Sequence, residues 1–164
     1  MATHLSAHLA LPDDPAGAFA LLTDPAYVEE VAVATGGHDV TVSVTPGDDG
    51  GATVVSARTL PANLPSYAKS FVGETLDLTE TRVYGPAAPD GSRDGTFAVD
   101  FGSTPITISG TLRLQPEGEL SGLAIEIDIK ASVPFVGGKV EGVASGWIEK
   151  FVAKEEKVAA TYEV

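Results

Sequence analysis

Residues 123–162 read LAIEIDIKASVPFVGGKVEGVASGWIEKFVAKEEKVAATY, and the periodicity changes within this one stretch. Leu123, Ile125, Ile127 and Ile129 alternate with Ala124, Glu126, Asp128 and Lys130, the period-two pattern of a strand with one apolar face. From residue 135 the period becomes helical. Val140, Val143, Ala144, Trp147, Phe151, Val158 and Tyr162 form one stripe, with Glu149, Lys150, Glu156 and Lys157 on other faces. Such a helix is roughly 35 Å long, enough to cross a sheet. Its apolar stripe needs a partner, and the only one the rest of the chain offers is an antiparallel sheet.

The strands of that sheet lie upstream. Leu5, Ala7, Leu9 and Leu11 alternate with His4, Ser6 and His8 over residues 3–11. Asp14-Pro15 and Asp24-Pro25 each place a capping side chain before a proline, so two short helices start there, and Gly36-Gly37 closes the second. Further alternating runs cover residues 40–45, 53–60, 75–84, 95–101 and 106–114. The connections are mostly hairpin-length, which makes the strands antiparallel. The phase of residues 53–60 is open, because either face of that strand could point inward. The expected fold is α+β, a curved sheet of about seven antiparallel strands around a long C-terminal helix, in one domain spanning residues 1–164.

The block PAGAFALLTDPAYVEE (residues 15–30), with RTLPANLPSYAKSFVGE (58–74) and VPFVGGKVEG (133–142), resembles the helix-grip fold of the START and polyketide-cyclase-like (SRPBCC, birch-pollen-allergen-like) superfamily. More narrowly, it resembles an actinobacterial domain-of-unknown-function family within that superfamily. The resemblance implies a cavity between sheet and long helix that takes lipids, sterols, polyketides or other apolar molecules. It brings no catalytic assignment.

Composition narrows the partners. The chain has 23 acidic against 10 basic side chains, a net charge of -13, and no cysteine. A net anion is repelled by nucleic acid and by anionic membranes, so neither is expected as a partner. Disulfides, zinc ribbons and thiol nucleophiles are excluded together. The first fifteen residues carry no basic, apolar leader, and no run reaches the roughly 20 apolar residues of a membrane span. The expectation is a cytoplasmic protein, monomeric or weakly dimeric through an edge strand, without stable membrane insertion.

Motifs for catalysis fail on inspection. Gly137-Gly138-Lys139 lacks the upstream glycine of a phosphate loop and has Val140 where Ser or Thr would hold magnesium. These glycines are read instead as a tight connection that brings the helix close to the sheet. No G-x-S-x-G occurs around Ser145. His4 and His8 would stand about 13 Å apart on a strand, too far for one ion. No metal and no cofactor are expected. The carboxylate pairs Asp13-Asp14, Glu29-Glu30, Asp48-Asp49 and Glu155-Glu156 are read as caps, turns and solvated faces.

Polar residues on apolar faces are the more informative feature. Leu76, Leu78, Glu80, Arg82 and Tyr84 share one side of a strand. If that side faces the core, Glu80 and Arg82 need partners there, and Arg58 could supply one. The expected ligand-binding wall is Leu76, Leu78, Glu80, Arg82, Tyr84, Phe97, Val99, Phe101, Ile108, Leu112, Ile125, Ile127, Trp147 and Phe151, with Tyr67 and Phe71 near the entrance. The leading function is binding of a small apolar, lipid-like or polyketide-like ligand. The alternatives are a cyclase or hydratase using Glu80 or Tyr84 as a weak catalytic candidate, and an interaction module with a filled core. Gly142 and Gly146 near the start of the long helix each weaken it by about 1 kcal/mol relative to alanine, which predicts a looser helix end.

Overall fold

The computed structural model of the chain describes residues 2–61 and 73–162. The elements follow in the order β1 (Thr3–Leu11), α1 (Pro15–Leu22), α2 (Pro25–Ala34), β2 (His38–Pro46), β3 (Ala52–Pro61), β4 (Thr75–Tyr84), β5 (Arg93–Asp100), β6 (Ile106–Glu117), β7 (Leu120–Ala131) and α3 (Gly137–Thr161). The seven strands form one antiparallel sheet in the order β1-β7-β6-β5-β4-β3-β2. Every neighbour is a hairpin partner except β1, which closes against β7 with Leu5 opposite Ile127 and Leu9 opposite Leu123.

Local chemistry accounts for the two short helices. Asp14 accepts a hydrogen bond from Gly17 N (2.8 Å) and Asp24 one from Ala26 N (2.9 Å), each ahead of a proline at the first helical turn. Helix α2 ends at Thr35, after which Gly36 N donates to Val33 O (3.0 Å) and Gly37 N to Ala32 O (2.8 Å). This is a Schellman closure, with Gly36 at φ 95°. A side chain at Gly37 would run into Ala32 O and the stem of Arg58, so the glycine lets the end of α2 settle onto β3.

The inner face of the sheet carries the alternation read from the sequence. Leu9, Leu114, Leu123 and Ile129 are fully buried, and each such side chain contributes about 1.5–3 kcal/mol relative to exposure. Helix α3 lies over β1 and β7 with Val140 and Ala144 buried beneath it. It also holds β1 by polar contacts. Glu156 accepts a hydrogen bond from Ala10 N (2.8 Å), and Glu141 accepts one from Thr3 Oγ1 (2.6 Å) and one from Ala131 N (3.0 Å). Near the far end, the guanidinium of Arg93 stacks on Phe19 at 3.6 Å and donates to Gly50 O and Gly85 O, tying α1 to two hairpin loops.

Some boundaries differ from the sequence reading. Strand β7 stops at Ala131, and α3 begins at Gly137 rather than near residue 135. Between them Phe135 adopts φ 67°, a left-handed turn that belongs to neither element. The close approach assigned to both glycines is carried by one. A Cβ on Gly137 would meet Ala131 O at 2.8 Å, whereas Gly138 faces open space.

Candidate functional site

A cavity of about 130 Å³ lies between the sheet, α2 and α3. Its apolar wall comes from alternate residues of the central strands: Leu76 and Leu78 of β4, Phe97 and Val99 of β5, Ile108 and Leu112 of β6, Ile125 and Ile127 of β7. Phe101 follows β5, and Trp147 and Phe151 descend from α3. The cross-strand register makes this one surface, since Val99 is opposite Ile108 and Leu112 opposite Ile125. Gly110 sits in the same face, and its missing side chain leaves room for the Phe97 ring beside it.

Of the wall expected from the sequence, Tyr84 stands elsewhere. It shares the inward face of β4 and is buried, but it lies at the end of the strand, where α1 covers it. Its ring meets Phe19 edge-on at 5.8 Å, and it takes no part in the cavity. Tyr67 and Phe71 lie outside the described residues. The open phase of β3 resolves with Val54, Ser56, Arg58 and Leu60 on the cavity side.

The polar part of the wall is concentrated where β3, β4 and α3 meet. Ser56 is opposite Glu80 and Val54 opposite Arg82 in the β3–β4 ladder. The carboxylate of Glu155, on α3, receives two hydrogen bonds from Arg82, Nη1 to Oε2 at 3.2 Å and Nη2 to Oε1 at 3.0 Å. Glu80 Oε2 is 3.6 Å from Arg82 Nε. Burial works against the charge on Arg82, but Glu155 and Glu80 outweigh it and hold the guanidinium firmly protonated. Arg58 fares differently. Burial lowers its pKa, Glu80 only partly opposes this, and its one hydrogen bond among the described residues is from Nη1 to Ser56 Oγ at 3.3 Å. Its Nε is buried with no hydrogen-bond partner among the described residues.

Two phenols complete the picture. Tyr27, 1% exposed on α2, lines the cavity with its hydroxyl unpartnered among the described residues. Burial, reinforced by the nearby Glu155 carboxylate, pushes its pKa well above the ordinary 10.0. Burial likewise raises Tyr84, whose hydroxyl is also unpartnered. Both phenols therefore stay protonated and act as donors, not as bases.

Sequence reasoning assigned Glu155 to a solvated face, and the structure corrects this: the residue is 7% exposed and stands on the cavity wall. The signal was present. Glu155 falls four residues after Phe151 and four before the buried Ala159, in the middle of the buried stripe. Glu141, three residues before Ala144, is buried by the same logic. Tyr27, Val28, Val31 and Thr35 of α2 also line the cavity. Nothing in their spacing says whether α2 packs over the sheet or away from it.

This arrangement defines the class by its fold: a helix-grip architecture, with a hollow between sheet and terminal helix. Residues 6–162 match the family described as "Protein of unknown function (DUF2505)", and the chain belongs to that family. An uncharacterized protein of Mycobacterium tuberculosis (strain ATCC 25618 / H37Rv), Rv0481c, is 26% identical over 123 residues, covering 73% of this chain and 70% of the relative. Among solved structures, TTHA0849 from Thermus thermophilus superposes with a TM-score of 0.65 at 16% identity, over 98% of this chain and 100% of that one. Ara h 8.0201 gives 0.55 at 11% identity over 99% and 100%. Truncated norcoclaurine synthase from Thalictrum flavum gives 0.55 at 12% over 99% and 96%. At these identities the likeness is one of fold.

Proposed function

We propose that this chain binds a small apolar ligand in the cavity between the sheet and α3, as a binding protein and not as an enzyme. The observation that carries the reading is the cavity itself, apolar on the β4–β7 side and polar at one corner, which is how ligand sites combine burial with orientation. A core left hollow by about 130 Å³ forgoes packing energy that a purely structural module would keep. The reading includes one domain over residues 1–164, a cytoplasmic location, and a monomer or weak dimer. Among the described residues, no helix is long and apolar enough to cross a membrane.

A second reading, an enzyme of the cyclase or hydratase kind, is favoured by one feature, the unpartnered Tyr27 hydroxyl at the cavity. A phenol held protonated by burial could donate to a ligand oxygen during proton transfer. Against it, both nearby carboxylates are already engaged with Arg82.

Mass spectrometry of small molecules that co-purify with the native protein, paired with displacement of the neutral dye Nile red, tests the binding reading. Recovery of a bound apolar molecule that competes with the dye is the expected result. Repeated absence of both would sink it. Chemical conversion of the recovered molecule by the protein, abolished in Glu80→Gln, would move the conclusion to the enzyme.

A further inference from the structure

Charge in the cavity is unequally shared. Arg58, Glu80, Arg82 and Glu155 stand on its wall, two cations and two anions. Both anions face one arginine: Glu155 grips Arg82 with two hydrogen bonds, and Glu80 lies 3.6 Å from Arg82 Nε. Among the described residues no carboxylate comes within 4.0 Å of Arg58. Among those residues its only hydrogen bond goes to the Ser56 hydroxyl, and its buried Nε meets no acceptor.

An arginine cannot escape this position by losing its proton, because its pKa is too high. Moving it outward is also hindered, since its stem is packed against Gly37 at the end of α2. A half-buried guanidinium that no described carboxylate contacts is only partly compensated by Glu80, and the remaining cost is removed by a ligand that brings an anion. The planar fork of donors matches a carboxylate, which accepts two parallel hydrogen bonds. Tyr27 adds a second donor on the same cavity wall, buried and without an acceptor among the described residues.

The volume sets the rest of the ligand. A void of about 130 Å³ is comparable to the roughly 150 Å³ apolar cavity that accommodates benzene. We infer that the site takes a compact organic anion, a carboxylate on an apolar body about one ring in size, with the carboxylate seated on Arg58 and the body against the β4–β7 wall. This rests on the ligand-binding reading and narrows it, from apolar molecules in general to small aromatic or alicyclic acids and away from long-chain lipids.

Calorimetric titration of the intact protein at pH 7 with 3-phenylpropanoate, 3-phenylpropan-1-ol, 3-phenylpropylamine and palmitate, alongside Nile red, separates the outcomes. The carboxylate should bind at least tenfold more tightly than the alcohol, with the amine weakest and palmitate no better than the ring acid. In Arg58→Gln the acid-to-alcohol ratio should fall to within twofold, and Arg58→Lys should keep part of it. Equal binding of acid and alcohol, or preference for the amine, would overturn the inference while leaving a binding cavity in place. Tighter binding of palmitate would overturn the size limit, and an undiminished ratio in Arg58→Gln would overturn the role of Arg58. Failure of all four compounds and of Nile red removes the inference together with the binding reading. Should Arg58→Gln not fold, the wild-type comparison of acid with alcohol still decides.

Discussion

Glu155 and Arg82 form the most consequential pair in the molecule. Their side chains are 9% and 16% exposed, so each charge depends on the other for solvation. Removing one partner leaves the other buried and alone, which typically costs about 3–5 kcal/mol, whereas replacing both by apolar residues of similar volume is often neutral or stabilising. Denaturant unfolding of Glu155→Leu, Arg82→Met and the double variant should therefore show two strongly destabilised single variants and a double variant that loses much less than their sum, short of wild type because Glu80 also loses its contact with Arg82. Additive losses would mean that the two residues act independently.

Two titrating residues on either side of the β1 strand pull stability in opposite directions with pH. Burial raises the Glu141 pKa, but hydrogen bonds from Ala131 N and Thr3 outweigh it and hold the group below its ordinary 4.5. Its contribution is present above 4.5 and lost as pH falls through the folded value. His4, hydrogen-bonded to Asp128 and Glu126 of β7, is raised above 6.5. Its contribution is full below 6.5 and fades as pH rises through the raised value. Melting temperatures of Glu141→Gln should lie below wild type at neutral pH, by the equivalent of about 1–3 kcal/mol, and converge on it in acid below 4.5. For His4→Gln the deficit should instead be largest near pH 5 and shrink toward pH 8.

Among the elements, α3 was the most legible and the most misread. Its position, amphipathic stripe and approximate length follow from residues 135–162, because the period changes sharply after Lys130. Two acids on its buried side escaped notice, since a charge at an apolar phase is ordinarily assigned to the neighbouring solvated face. Only the strands opposite reveal that Arg82 reaches Glu155. The caps of α1 and α2 were readable from local chemistry alone. The placement of α2 over the cavity depends on tertiary packing that no local pattern encodes, as does the burial of Tyr84 under Phe19.

Gly142 and Gly146 lie on the exposed side of α3, and a side chain at either would meet nothing within 4 Å. Alanine there should stabilise the protein by about 0.5–1 kcal/mol per site, through higher helix propensity and a less free unfolded chain. If the loose first turns of α3 admit the ligand, the double alanine variant should also slow its exchange while leaving equilibrium affinity close to wild type. Stopped-flow dye binding checks this, and unchanged rates would place the entrance elsewhere.

At the scale of the whole molecule, the hollow core forgoes packing that a side chain could supply. Ala144 is buried on α3 at the cavity wall. Ala144→Leu should occupy much of the space, raise or preserve the melting temperature, and weaken dye binding at least tenfold. A large loss of stability would show the space to be unavailable to a side chain of that shape.

The pairing of β1 with β7 also governs how the fold is reached. Leu5 waits for Ile127 and Leu9 for Leu123, partners more than a hundred positions away along the chain. On the ribosome the first strand emerges long before the strand that receives it. Until then its apolar edge is open to other chains. A topology with so distant a closure folds slowly, on a scale of milliseconds to seconds. Closure of the sheet waits until β7 has been made, and the interval before it is the stage at which the unpaired strand edge is most exposed to aggregation.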